Sequence, residues 1–270
     1  MSHIPTEIEE QIITLKYGNL KLKIKKNEAF VYYATFVAGE NNKIRLSSHD
    51  VVIDAGANIG DFTLKAAKKV KKGKVIAIEP NPKNVEIINQ NIIINKLENV
   101  EVLPFALSNV SGTANLSGDT VGASIMEKDE NVLQIRTITI DDVLEKYCTK
   151  DEEVVLKMDI EGAEELVFRN PDFLKRIREI SIELHGENNI RNIPLILSKY
   201  NFIIEEFKLK QQIINTIKFI IKHPISFISS EQKTGRMAFN GLVNTIYGRN
   251  PVPSIGSEEF KLIYAKKHKK

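Results

Sequence analysis

Five ionisable residues in the second half of the chain have the types and spacing of a centre for proton transfer or metal binding. Lys157, Asp159 and Glu161 alternate at the end of one apolar segment, and Glu183 and His185 alternate at the end of the next. Because alternate residues of an extended chain point to the same side, each set presents its side chains together. Histidine exchanges a proton near neutral pH, and carboxylates orient hydroxyl groups or bind divalent cations. These residues are therefore the candidates for the reacting end of an active site.

A glycine-containing loop, DAGANIG, joins an earlier apolar segment to a segment with helical spacing. Gly56 and Gly60 let the backbone turn sharply and let a ligand approach it closely. Asp54, at the end of the apolar segment, is in a position to hold the ammonium group of a ligand, directly or through water. Glu79 ends the next apolar segment, where an acid can accept hydrogen bonds from both hydroxyls of a ribose. The spacing predicts a site for a cofactor that contains adenosine.

The residues inside this loop favour S-adenosylmethionine over NAD. A dinucleotide-binding loop has the pattern G-x-G-x-x-G, whose middle glycine admits a pyrophosphate. This chain has Asn58 two positions after Gly56, and Asp61 directly follows Gly60. An acid at that position would repel a pyrophosphate, whereas the ammonium and sulfonium groups of S-adenosylmethionine tolerate it.

Apolar segments alternate with segments of helical spacing, as in a parallel sheet joined by right-handed crossovers. A stretch rich in Ser, Gly, Asn and Thr, 108–124, interrupts the alternation and predicts a loop or a small meander. The pattern predicts strands at 51–56, 74–80, 100–107, 153–162, 179–186, 202–209 and 260–267, and helices at about 59–73, 82–95, 137–147, 191–201 and 209–222. A further helical stretch is expected after the strand at 153–162 and extends to about residue 178.

A β-rich extension, residues 1–47, is expected to precede the α/β domain, residues 48–270. Within the extension, 12–26 predicts two strands with a turn at Gly18-Asn19, and the apolar segment 30–37 predicts a further extended stretch. The extension could cover one end of the domain or shape a substrate entrance.

An insertion at about 210–258 separates the last two strands. Its first part, 209–222, has apolar residues at helical spacing, which predicts an amphipathic helix. That helix could pack on the domain, close over the substrate as a lid, or make a peripheral contact with a membrane surface.

Several of these segments resemble the FkbM-type S-adenosylmethionine-dependent methyltransferase family. The resemblance covers about residues 36–208 and is carried by DAGANIGDFTLKAA, AIEPNP, VLPFALSN, TIDDVL and KMDIEGAE, in that order. It implies a class I methyltransferase fold, a Rossmann-like seven-stranded sheet whose last strand is antiparallel, with helices on both faces. It also implies S-adenosylmethionine as cofactor and O-methylation of sugars, polyketides or related hydroxyl compounds. Its motifs add Pro80, Asn81, Phe105 and Ala106 to the expected cofactor contacts.

We expect an O-methyltransferase in which Asp159 and Glu161 prepare an acceptor hydroxyl, His185 is the best candidate base and Lys157 lies beside them. A divalent cation such as Mg²⁺, held by Asp159 and Glu183, is an alternative means of activating the hydroxyl. Two other functions stay open: a non-catalytic subunit that binds S-adenosylmethionine or a nucleotide, and an NAD-dependent oxidoreductase. The acid cluster argues against binding alone, which does not require it.

The composition sets limits on partners and compartment. The 38 Lys and Arg residues against 35 Asp and Glu residues give a net charge of only +3, which does not indicate a nucleic-acid partner. Cys148 is the single cysteine, so an intrachain disulfide is impossible. The first residues lack the apolar core of a signal peptide, and no stretch reaches the roughly 18 apolar residues of a membrane span. These features predict a cytoplasmic protein with a small-molecule or glycan acceptor, and they do not indicate an oligomeric state.

Overall fold

Twelve strands are present in the computed structural model, within its described residues 11–117, 132–222, 240, 243 and 260–268. Apart from residues 240 and 243, the part of the predicted insertion beyond residue 222 lies outside these ranges. The strands are β1 Ile12–Tyr17, β2 Leu20–Lys25, β3 Val51–Ala55, β4 Lys74–Ile78, β5 Val100–Leu103, β6 Ala106–Leu107, β7 Gly112–Ser117, β8 Val132–Ile138, β9 Val154–Met158, β10 Ile177–His185, β11 Phe202–Glu206 and β12 Phe260–Lys267.

The central sheet has seven strands in the order β11-β12-β10-β9-β3-β4-β5. β12 is antiparallel to both of its neighbours, and the other pairs are parallel. The seven predicted strands and the antiparallel last strand are therefore confirmed. The chain order reverses at the neighbouring strands β3 and β9, and in such sheets ligands bind at the carboxyl ends of the strands beside this switch point.

Helices cover both faces of the sheet. On one face Phe62 and Ala66 of the second helix pack on Val52, and on the other Val143 and Leu197 join the largest core cluster. Because helices bury both faces of the sheet, β3 and β4 are apolar along nearly their whole length. The helices are α1 Phe30–Tyr32, which continues as a π-helix at Tyr33–Ala38, α2 Asp61–Ala67, α3 Pro82–Ile94, α4 Ile140–Tyr147, α5 Glu164–Val167, α6 Glu187–Lys199 and α7 Leu209–Lys222, with 3₁₀ turns at Lys26–Glu28, Glu40–Lys43 and Pro171–Lys175.

The segment predicted as one strand at 100–107 forms two. After β5 the chain passes Pro104, which has no N–H to donate, and β6 leaves the central sheet to pair with β8. β6, β8 and β7 form a separate three-stranded sheet, so the predicted meander is confirmed as far as β7. Residues 118–124 of that prediction lie outside the described part. α4 then begins after Thr139, whose hydroxyl accepts the Asp142 N–H.

The N-terminal extension contains the predicted hairpin, β1 and β2, but the prediction of an extended segment at 30–37 is wrong. Those residues form α1 and the π-helix, and all but Phe30 are buried. A short, continuous apolar run does not distinguish a strand from a helix that is covered on every side. Here the hairpin lies on one side and α7 on another. The boundary at residues 47 and 48 stays a prediction.

Asn91 of α3 and Asn95, the C-cap of the same helix, attach the hairpin to the domain. The Asn91 amide accepts from and donates to the backbone of Lys23, and the Asn95 amide does the same with Lys21, at 2.6 to 3.0 Å. Asn91 also donates to the carbonyl of Ile59 in the glycine-containing loop (2.9 Å). The two amides, four residues apart in sequence and on one side of the helix, thus pair the N–H and C=O groups on the free edge of β2.

The predicted helix at 209–222 is confirmed as α7, but its packing differs from expectation. Its buried residues are Gln212, Thr216 and Phe219, and the Thr216 and Tyr33 hydroxyls are hydrogen-bonded (3.0 Å). Ile217 and Ile221 are exposed instead. Within the described residues, no helix is both long and apolar enough to cross a membrane. The proposed membrane-surface contact stays a prediction.

Candidate active site

A cleft with two adjoining halves opens at the carboxyl ends of β3, β4, β9 and β10. The glycine-loop half has a volume of about 610 Å³, and the histidine half about 320 Å³. Both halves are lined by Gly56, Asn58, Asp159 and Glu161, so they meet along the ends of β3 and β9. The glycine-loop half is also lined by Glu79, Pro80, Asn81, Phe105 and Ala106, and the histidine half by Glu40, Asp61, Lys157, Glu183 and His185.

Gly56 is required where the loop crosses the end of β9. Its φ is +70°, and a Cβ added to it would lie 1.7 Å from the carbonyl oxygen of Asp159. The Asp159 N–H in turn donates to Ala55 O (3.0 Å). The sequence suggested that this glycine lets a ligand approach; the structure shows that it also lets two parts of the backbone approach each other. Gly60, at φ +84°, begins α2 beneath Ile88 and does not line either half.

Glu79 lies in the glycine-loop half, 6% exposed, with its carboxylate held by three donors. Its oxygens accept the backbone N–H groups of Asn58 (2.8 Å) and Asn81 (3.0 Å) and the side-chain amide of Asn84 (3.3 Å). Burial raises the pKa of this carboxyl, and the hydrogen bonds oppose that shift. A carboxylate has about four acceptor sites, so this group keeps capacity for a ligand hydroxyl.

Asp54 lies behind the cleft lining and is fully buried. Its Oδ2 accepts the Thr63 hydroxyl (2.5 Å), and its Oδ1 lies 3.4 Å from Lys157 Nζ. Lys157 also donates to Gly56 O (2.8 Å), so its ammonium links β9 to the loop. Burial lowers the pKa of Lys157, but the charges of Asp54 and Asp159 outweigh it and raise the pKa above its usual value. Lys157 is therefore a fixed positive charge between the two halves.

Acids from the extension and from α2 were not expected in the histidine half. Asp61 is buried at the start of α2 and accepts the Thr35 hydroxyl. Glu40, from the 3₁₀ turn, has a buried oxygen with no hydrogen-bond partner among the described residues. Burial, followed by the charges of Asp159 and Asp61, raises the pKa of Glu40 to about 8; burial raises that of Asp61 to about 6. The apolar run before Glu40 suggested an extended segment, so no pattern indicated that this acid would reach the cleft.

The predicted reacting residues do come together around His185. Its Nε2 atom lies 3.5 Å from Glu161 Oε2, 3.7 Å from Glu183 Oε1 and 3.9 Å from Asp159 Oδ1. β9 and β10 are paired neighbours, which is why residues more than twenty positions apart meet. Burial lowers the pKa of His185, but the hydrogen bond to Glu164 and the surrounding acids outweigh it and raise the pKa above its usual value.

The other ring nitrogen of His185 contacts an acid to which the sequence assigned no role. Glu164, the first residue of α5, is fully buried, and its Oε1 lies 3.0 Å from His185 Nδ1. Its position in KMDIEGAE, five residues after Asp159, was the available signal. The Glu161 side chain differs: it is mostly exposed, and its backbone has φ +53°.

The residues present fit S-adenosylmethionine better than a dinucleotide. A pyrophosphate would bind at the N-terminus of α2, but the buried Asp61 carboxylate already lies there. Glu79 in the glycine-loop half is available to ribose hydroxyls, and Asp159 and Glu161, which line both halves, suit a positively charged sulfonium beside them. Asp159, Glu161 and His185 also offer ligand atoms within 4.8 Å of one another, so a divalent cation fits this cluster too. Glu183 lies in the same cluster.

The sheet order, with β12 antiparallel between β10 and β11, defines a class I methyltransferase fold. Residues 54–204, more than half of the chain, match the family model described as the methyltransferase FkbM domain. The chain belongs to this family and is a methyltransferase that depends on S-adenosylmethionine.

The relatives include methyltransferases of several kinds. Methyltransferase sdnD of Sordaria araneosa is 27% identical over 222 residues, which cover 67% of this chain and 85% of that protein. The tRNA (guanine(37)-N(1))-methyltransferase Trm5b of Methanocaldococcus jannaschii is 39% identical over 78 residues, 28% of this chain and 22% of that protein. This chain therefore spans less than a quarter of that RNA methyltransferase.

A solved structure is also similar to this chain. The crystal structure of Methyltransferase FkbM from Methylobacillus flagellatus is 19% identical with a TM-score of 0.48, and the match covers 65% of this chain and 44% of that one.

Proposed function

We propose that this methyltransferase transfers the methyl group to a hydroxyl oxygen of a sugar, glycan or related small molecule. The observation that supports this most is the position of His185. Its Nε2 faces the histidine half of the cleft, next to the edge that this half shares with the glycine-loop half. Methylating an alcohol requires a proton to leave the acceptor oxygen, and a histidine in this position is suited to take it.

The glycine-loop half is the proposed cofactor site. Glu79 would hold the ribose, and the remaining contacts would come from Gly56, Asn58, Pro80, Asn81, Phe105 and Ala106. Asp54 and Gly60, the other predicted cofactor residues, do not line the cleft and would support the loop from behind. S-adenosylmethionine supplies an electrophilic methyl group. The protein's main contribution would be to hold the acceptor oxygen in line with that group.

The histidine half is the proposed acceptor site. Asp159 and Glu161 would accept hydrogen bonds from acceptor hydroxyls and orient them, while His185 Nε2 takes the proton from the reacting hydroxyl. The imidazolium formed in this step would be stabilised by the acids around it. Lys157 would hold the loop and β9 in register across the two halves.

A divalent cation is the alternative means of activating the same oxygen. Asp159 and Glu183 are the predicted ligands, and Asp159, Glu161 and His185 offer ligand atoms within 4.8 Å of one another. A cation there would lower the pKa of a bound hydroxyl, and His185 would then be a ligand rather than a base. A chelator titration separates the accounts: a base mechanism keeps its activity, whereas a cation mechanism loses it and regains it with added Mg²⁺ or Mn²⁺.

The atom that receives the methyl group can be read from the product. The protein would be incubated with S-adenosylmethionine labelled with ¹³C in the methyl group and with a panel of sugars and hydroxylated small molecules, with an RNA pool as a separate arm. The ¹³C shift of the product distinguishes methyl on oxygen from methyl on nitrogen or carbon. We expect an O-methyl product from a hydroxyl acceptor. Label on a nitrogen, or on RNA alone, would contradict the proposal.

A cytoplasmic location and the lack of a nucleic-acid partner also stay predictions.

A further inference from the structure

Glu164 is a buried acid that has no lysine or arginine as an ion-pair partner among the described residues. It is fully buried, and its only ion-pair partner among the described residues is His185. Its Oε1 also accepts the Gly162 N–H (3.1 Å), and its Oε2 accepts the Asn189 amide (2.8 Å). Burying a carboxylate costs several kcal/mol unless hydrogen bonds and an opposite charge compensate. The opposite charge available here is a proton on His185.

The His185 ring is fixed from two directions. Nδ1 lies 3.0 Å from Glu164, and the ring packs edge-to-face on Phe260 with centroids 5.1 Å apart. Asn189, which holds the far oxygen of Glu164, also donates to the backbone carbonyl of His185 (2.8 Å). These contacts leave one ring nitrogen, Nε2, facing the cleft.

We propose that Glu164 is the positioning residue of His185: it accepts the Nδ1–H bond and so leaves the lone pair of the neutral ring on Nε2, toward the acceptor. A carboxylate can only accept, so a neutral imidazole beside it must carry its proton on Nδ1. When Nε2 takes the acceptor's proton, Glu164 faces the positive charge that forms. This inference rests on the proposed role of His185 as base.

The test compares five variants with the parent, one of which is the single change His185→Gln. Glu164→Gln keeps the shape and removes the charge, and Glu164→Asp keeps the charge. Glu165→Gln makes the same change at the exposed neighbour in α5. The double variant Glu164→Gln/His185→Gln shows whether Glu164 acts through the histidine. Turnover and affinity for S-adenosylmethionine are measured for each, and ¹⁵N NMR at alkaline pH reports which ring nitrogen of neutral His185 carries the proton.

We expect Nδ1–H in the parent and a mixture of both forms in Glu164→Gln. Turnover of Glu164→Gln should fall about 10- to 100-fold with cofactor affinity unchanged. Glu165→Gln should match the parent, and Glu164→Asp should recover part of the loss. Adding Glu164→Gln to His185→Gln should change nothing further, because residues that act as one unit are not additive.

Three outcomes would overturn the inference. One is an Nε2–H ring in the parent, which needs no variant and so remains decisive if Glu164→Gln fails to fold. Another is a loss in Glu164→Gln that is equally large when His185 is already Gln. The third is parent-like turnover in Glu164→Gln while His185→Gln is impaired, which leaves the proposed function standing. Full activity of His185→Gln would instead contradict the proposed base.

Discussion

The two halves of the cleft are built in different ways. The glycine-loop half is made by short-range features: a loop directly after β3, an acid directly after β4, and an asparagine that begins α3. The histidine half collects ionisable side chains from several parts of the chain, namely Glu40 in the 3₁₀ turn, Asp61 at the start of α2, and the ends of β9 and β10. The first half contains the backbone hydrogen bonds that hold Glu79, whereas the second contains the larger group of ionisable side chains, whose charges shift one another's pKa.

Under the proposed function, this difference separates the residues that would bind the cofactor from those that would carry out the reaction. A site formed where backbone segments contact one another tolerates few substitutions without loss of the fold. It therefore suits a ligand that does not change. A site made of side chains can change its acceptor by substitution without disturbing the sheet. Variants in the glycine-loop half should therefore lose stability or cofactor affinity, and variants in the histidine half should lose turnover.

Gly56→Val should damage the fold itself. The added Cβ would fall 1.7 Å from a backbone oxygen of β9, at a φ of +70° that a β-branched residue rarely adopts. We expect a loss of more than about 4 kcal/mol in the free energy of unfolding, measured by denaturant titration. Gly112→Val is the control, because the Cβ there meets only Thr137 Oγ1, at 4.0 Å. A Gly56→Val protein as stable as the parent would show that the loop and the end of β9 can move apart to admit the side chain.

His185→Gln should remove turnover while the cofactor still binds. We expect a fall of about 10²- to 10⁴-fold, because general-base catalysis contributes about this much. Turnover is measured with labelled cofactor, and affinity by calorimetry. The turnover measurement is then repeated for the parent and the variant in excess chelator. Full activity of the variant in chelator would contradict both the base and the cation, leaving orientation by Asp159 and Glu161.

Glu79→Ala should weaken binding of the cofactor rather than slow the methyl-transfer step. Loss of a buried acid that accepts hydrogen bonds costs about 1.5–3 kcal/mol, or about 10- to 150-fold in affinity for S-adenosylmethionine. Calorimetric titration measures it, with Glu86→Ala on the exposed side of α3 as control. Unchanged affinity would remove Glu79 from the cofactor site.

Asn95→Ala should loosen the hairpin and leave both halves working. The change removes an amide that pairs both backbone groups of Lys21, for an expected cost of about 1–3 kcal/mol in the free energy of unfolding. Asn89→Ala is the same change on the exposed side of α3. Equal stability of the two variants would contradict the anchoring role.

The sequence predicted the glycine-loop half better than the histidine half, for a physical reason. The seven strands and the positions of Gly56 and Glu79 follow from apolar runs and turn residues that lie close together in sequence. Neighbouring strands also explain why His185 meets Asp159. Glu40 was missed because the buried run before it forms a π-helix, and a fully buried run has no periodicity that separates helix from strand. Glu164 was missed because pairing with His185 depends on a short helix, α5, whose direction no local pattern specifies.

A crystal structure with S-adenosylhomocysteine bound tests the central claim most directly. The account predicts the ribose against Glu79 in the glycine-loop half and the sulfur at the edge shared with the histidine half, facing the cluster around His185. A ribose bound elsewhere, or a sulfur turned away from His185, would contradict the division of the cleft into a cofactor half and an acceptor half.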